Sequence, residues 1–142
     1  MSPPAQQPKF FLDRSLGRIA VPSILRTDGW VLVTLAEHYG VPADEKIADT
    51  QWIQDAATRG WPILMKDKRI RYRRAEIEAV IQHTAQCFVI TKGDLTSAEM
   101  AWRFLDNKQA IYESTAVPGP YIFAVQSGVR LFAWYDLSLM PG

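Results

Sequence analysis

Cysteine and histidine are nearly absent from this 142-residue chain: Cys87 is its one cysteine, and His38 and His83 are its two histidines. A lone thiol excludes an intramolecular disulfide, and one Cys with two His cannot build a structural zinc framework. Any metal must then be held by oxygen, which favours hard cations such as magnesium or manganese. Long apolar runs are missing too, and a membrane helix needs about 20 such residues, so no membrane span is expected. Residues 1–8 lack the basic and apolar blocks of a secretory signal, which points to a cytoplasmic protein. No glycine-rich fingerprint for a dinucleotide or P-loop site is present.

What remains is an ordinary globular mixture, 48% apolar and 22% charged, enough for one domain to bury its own core. The Pro- and Gln-rich residues 1–8 are expected to be disordered, with a single domain over residues 9–142. Net charge is +1, but it is unevenly spread. Residues 66–74 carry six Lys or Arg and one acid, whereas the rest of the chain carries ten basic and fourteen acidic residues. Such asymmetry is the footprint of a polyanion site. The plainer alternative is a solvated, salt-bridged helix start.

Apolar runs short enough to be buried strands recur along the chain. Lys9-Phe10-Phe11-Leu12 ends at Asp13, Trp30 to Leu35 is rich in β-branched residues, Trp61 to Lys66 ends at Asp67, and Cys87 to Thr91 is the fourth. Helical spacing separates them. A short helix is expected between Gly17 and Gly29, another over Ala75–Gln86, and a third after the capping-box pattern Thr96-Ser97-Ala98-Glu99. Between these, Trp52, Ile53, Ala56 and Ala57 share one helical face, with Asp49 at the expected N-cap and Gly60 at the close. Strands alternating with helices indicate a mainly parallel, doubly wound sheet.

That topology sends Asp13, Asp67 and the helix start at Asp49 to one sheet edge, where open α/β sheets bind ligands. Three carboxylates there repel, each ionised pair at about 5 Å costing on the order of 3 kcal/mol at an effective dielectric of about 20, so a cation is expected among them. A divalent ion held by carboxylates activates water and neutralises a phosphodiester's developing charge. Lys66, Lys68, Arg69 and Arg71 would hold the phosphate backbone. The combination describes a nuclease; taken singly, Asp13 only ends a strand, Asp67 only starts a turn and Asp49 only caps a helix.

Phe11-Leu12-Asp13, Asp49 opening an amphipathic helix, and Ile63-Leu64-Met65-Lys66-Asp67 together resemble a PIN-like domain. Leu12-Asp13-Arg14-Ser15-Leu16-Gly17, Thr34-Leu35-Ala36-Glu37-His38-Tyr39-Gly40 and Lys66-Asp67-Lys68-Arg69-Ile70-Arg71 resemble its VapC-type toxin branch. The resemblance covers Lys9 to Phe104. It implies a three-layer α/β/α fold and a magnesium- or manganese-dependent ribonuclease, the toxin of a toxin–antitoxin pair, inhibited by a cognate antitoxin. Asp13, Asp49 and Asp67 match the family's catalytic, metal-binding acids. Met65-Lys66-Asp67 lacks the threonine of the usual T-x-D motif, Glu37 is the residue comparable to a further mid-chain Glu, and Asp94 and the Asp44-Glu45 pair are substitute acids. The chain is shorter than full-length PIN domains between Asp13 and Asp49.

Two rival readings belong to other classes. A phospho-receiver domain needs adjacent acids after the first strand, where Asp13 is followed by Arg14 and Ser15. A non-catalytic module binding nucleic acid or an antitoxin would carry the same acids as vestiges. Finally, two apolar segments flank Ser127-Gly128, predicting a C-terminal β-hairpin over residues 121–135. A lone hairpin has only marginal stability, so it should add to the sheet or cover a helix. Its outer face is expected to serve a homodimer or antitoxin contact.

Overall fold

The computed structural model describes residues 7–70, 73–127 and 131–133. Outside the described residues fall most of the expected N-terminal tail (1–6), Arg71, the hairpin turn at 128–130, and Trp134 and Tyr135.

Strand β1 (Lys9–Leu12) passes through a single 3₁₀ turn at Arg14–Leu16 into helix α1 (Ala20–Thr27). Strand β2 (Val31–Thr34) returns beside β1 in parallel, pairing Lys9 with Val31 and Leu12 with Thr34. The expected second strand stops one residue short of Leu35, because Thr34 and Glu37 close a reciprocal capping box that starts helix α2 (Leu35–Tyr39). A second 3₁₀ turn (Ala43–Lys46) leads to helix α3 (Asp49–Thr58), and Gly60, at φ +73°, supplies the left-handed residue that turns the chain towards strand β3 (Ile63–Lys66). Helix α4 (Arg74–His83) and strand β4 (Gln86–Ile90) follow.

The Thr96–Glu99 capping box opens helix α5 (Ser97–Asp106) as its spacing predicts. Helix α6 (Lys108–Thr115), absent from the sequence reading, packs buried Ile111 into the core. Strand β5 (Tyr121–Val125) pairs in parallel with β4, and β6 (Leu131–Ala133) pairs with β5 in antiparallel register.

The strand order is β2-β1-β3-β4-β5-β6, with five parallel strands and helices on both faces, the three-layer α/β/α arrangement expected. Strand residues alternate between two apolar layers. Phe10, Leu12, Leu64, Phe88 and Ile90 face α1, α5 and α6, while Phe11, Ile63, Met65, Cys87 and Val89 face α2, α3 and α4. Both faces are buried, which is why these strands read as unbroken apolar runs. From β1 the chain winds outward to β2, then crosses back to β3 on the other side of β1. This reversal leaves a crevice between the C-terminal ends of β1 and β3.

Candidate active site

Asp13 follows β1 and Asp67 follows β3, so the two acids flank the crevice at the reversal. Their backbones are locked by the sheet: the Asp13 N–H donates to the Leu64 carbonyl at 3.1 Å and the Asp67 N–H to the Ile90 carbonyl at 3.0 Å. Asp13 is buried. Its Oδ2 accepts from Ser15 Oγ at 2.7 Å, and that same hydroxyl accepts the Lys66 N–H at 3.0 Å, tying the two strand ends together. Its Oδ1 is buried and has no hydrogen-bond partner. An unpaired carboxylate oxygen is costly to bury. Burial first, and the neighbouring Asp49 charge second, push the Asp13 carboxyl above its ordinary pKa.

Asp49 reaches this crevice at the head of α3, though not as its cap. Ala48 is the N-cap, without a side-chain bond, and Asp49 is the first helical residue. The expected capping role fails because its carboxylate turns along the helix and accepts from Trp52 Nε1 at 2.9 Å. The loop before it is clamped from the β1 side: Arg14 donates to the carbonyls of Glu45 (3.2 Å) and Ile47 (2.6 Å), and Arg18 pairs with buried Asp44 at 2.7 Å. Arg14 and Ser15 enter the sequence only as part of the Leu12–Gly17 stretch and Arg18 not at all, since each also acts on a partner far along the chain.

Asp67 differs from Asp13 in having both oxygens occupied. Oδ1 accepts the Arg69 N–H at 2.9 Å, and Oδ2 accepts Arg73 Nε at 2.5 Å. Of the predicted basic residues, Lys66 is half-buried at the end of β3, and Lys68 and Arg69 are exposed beside Asp67. Glu37 is engaged elsewhere, in the α2 capping box and a 2.6 Å pair with Arg26, and Asp94 is exposed.

The donor chemistry of Asp13 and Asp49 fits a hard cation: both are carboxylates, they interact electrostatically, and Asp13 presents an unpartnered oxygen. Among the described residues, however, no group of three or more His, Cys, Asp or Glu side chains is gathered around one point. Asp67 is held by Arg73.

Residues 8–92, which span both strand mouths and the head of α3, match the family described as PIN like domain. The chain belongs to the PIN-like domain family. Within that family it is similar to a Mycobacterium tuberculosis protein named "Putative ribonuclease VapC45", at 36% identity over 115 residues, covering 81% of this chain and 83% of that one. No solved structure matches. No helix among the described residues is long and apolar enough to cross a membrane. In this PIN-like domain the two acid-bearing strand ends are set by sheet register, and the third acid by a side-chain clamp.

Proposed function

We propose that this PIN-like protein is a divalent-metal-dependent endoribonuclease, acting in the cytoplasm as the toxin of a toxin–antitoxin pair. The observation that carries the reading is Asp13, a buried carboxylate with one oxygen unpartnered, beside Asp49 in the crevice of the sheet. The 36% identity to a protein named as a ribonuclease supports the same activity.

Asp13 and Asp49 would hold magnesium or manganese, with Asp67 as the third acid. Bound there, the ion supplies Lewis-acid polarisation of the scissile phosphate. The protein's own groups do the rest. Ser15 keeps Asp13 in place by bridging it to the β3 backbone, and Trp52 fixes the Asp49 carboxylate. Lys66, Lys68, Arg69 and Arg71 bind the phosphate backbone, which positions RNA without reading its sequence. A small antitoxin is the protein partner this function calls for.

The test is cleavage of a single-stranded RNA with magnesium, manganese or EDTA, by wild type and by Asp13→Asn. Cleavage that needs the metal and disappears in the variant supports the reading. Metal-independent cleavage overturns the metal's role, and RNA binding with no cleavage under any condition turns the protein into a binding module.

A further inference from the structure

The pair between Arg73 and Asp67 lies where the proposed metal site needs its third acid, and the inference drawn from it rests on that reading. Asp67 is 13% exposed in its side chain and Arg73 is 45% exposed, so a half-solvated guanidinium closes over a mostly buried carboxylate. The bond from the Arg69 N–H to Oδ1 belongs to the turn itself, joining residues two apart in the chain. Oδ2 is thus the oxygen free to change partner, and Arg73 Nε holds it.

A divalent cation on Oδ2 and a guanidinium on the same oxygen would stand about 4 Å apart, and like charges at that distance repel strongly even at an effective dielectric of about 20. Both cannot stay. The backbone of Arg73 is anchored, its N–H donating to the Ile70 carbonyl at 3.0 Å and its carbonyl accepting from the Ile77 N–H at 3.0 Å. Its side chain is therefore the part able to move, by rotation towards solvent. Half-exposed ion pairs are worth little net stability, so such an exchange is easily reversed. Asp67 first, then Glu76 and Asp49 at longer range, stabilise the Arg73 charge, which sets this guanidinium in the field of Asp49 as well as that of its own partner.

We propose that Arg73 is the resident counter-ion of the acid site, exchanged off Asp67 when a divalent cation enters and then available to a phosphate of the bound RNA. A guanidinium released at this point lies next to exposed Lys68 and Arg69, and its planar fork suits phosphate oxygens. The basic run then has two functions in sequence. It balances the acids without metal and grips the substrate with it.

Manganese affinity of the full-length protein, read by electron paramagnetic resonance of the free ion, tests the exchange. Arg73→Gln should bind manganese about fivefold more tightly than wild type, the size expected for losing one half-exposed competing pair. Arg73→Lys should stay within about twofold of wild type, and so should Arg74→Gln, whose guanidinium pairs with Glu78 on α4. In calcium-loaded protein, Arg73→Gln should also bind a fluorescent RNA about fivefold more weakly, so the two effects have opposite signs. A merely structural arginine would not tighten the metal. Unchanged or weaker manganese binding in Arg73→Gln overturns the exchange, and unchanged RNA binding overturns the second half of the proposal. If Asp13→Asn abolishes manganese binding while Arg73→Gln leaves it unaltered, the metal site stands and the exchange alone falls. If neither wild type nor Arg73→Gln binds manganese, the metal site falls and the exchange with it.

Discussion

At the N-terminal end of the sheet, Lys9 lies 4.7 Å above the Trp61 ring, Arg59 stands 5.6 Å from the same ring, and Phe11 stacks on it. A cavity of about 610 Å³ opens there, between Pro8, Trp61, Gln86 and Tyr112. At the C-terminal end the chemistry is harsher. Asp13 is buried with an oxygen unpartnered, and Asp67 is held by an arginine. The first end has room but its cations already rest on aromatic faces. The second end leaves charge unsatisfied, and charge left unsatisfied in a folded protein is what a ligand can act on.

Breaking each end separately should give opposite phenotypes. Asp13→Asn is expected to lower RNA cleavage by about 10²-fold or more, as loss of a group that acts on developing charge does, with the fold intact. Trp61→Ala should do the reverse: a truncated, partly buried aromatic costs about 2 kcal/mol in a urea melt, while cleavage per folded molecule stays near wild type. Equal losses of activity from the two changes would erase the distinction.

Within the C-terminal end, pH separates paired from unpaired acids. The Asp13 pKa is raised by folding, so the native state holds its proton longer than the unfolded one, and stability is lost as pH rises from about 4 through the native value. Glu37 has the opposite sign: burial opposes its charge, but Arg26 and the Thr34 N–H outweigh burial and lower its pKa, so it contributes stability that is lost as pH falls. In EDTA at neutral pH, Asp13→Asn should therefore melt about 3 °C above wild type, taking ~1 kcal/mol for the buried acid, and Glu37→Gln only about 1 °C below, taking ~0.3 kcal/mol for a half-exposed pair screened by solvent. Both differences should shrink in acid. Smaller still is the effect of the exposed basic residues. Lys68→Gln with Arg69→Gln should flatten the salt dependence of RNA binding by about one unit of slope per lost contact, without changing the melt.

Much of the architecture is visible in the sequence because both faces of the sheet are covered, so its strands stand out as apolar runs and their parallel order follows. The strand ends at Asp13 and Asp67 come with them. Helix α2 hides because it is five residues long and is capped by Thr34, the last residue of an apolar strand. The cap before α3 misleads for a local reason: an aspartate three residues ahead of a tryptophan looks like a cap, and here the indole takes the carboxylate. Arg73 is hidden in plain sight, one of six basic residues in a run, and nothing local says that it turns back on Asp67 while Arg74 pairs along its helix with Glu78. Ser15 reaches Lys66 across 51 positions, a distance over which composition and periodicity are silent.

The Arg14 clamp sets one further property of the molecule, its tolerance to changes in chain length. Spacing between Asp13 and Asp67 is fixed by hydrogen-bond register, like the marks on a ruler. Asp49 instead sits on a sliding jaw, held by two carbonyls that one arginine grasps at 3.2 and 2.6 Å. Residues inserted or deleted between β2 and that clamp would be absorbed in the loop around Val41 and Pro42, provided Arg14 still finds two carbonyls to hold. The same change inside β1 or β3 would displace the site outright.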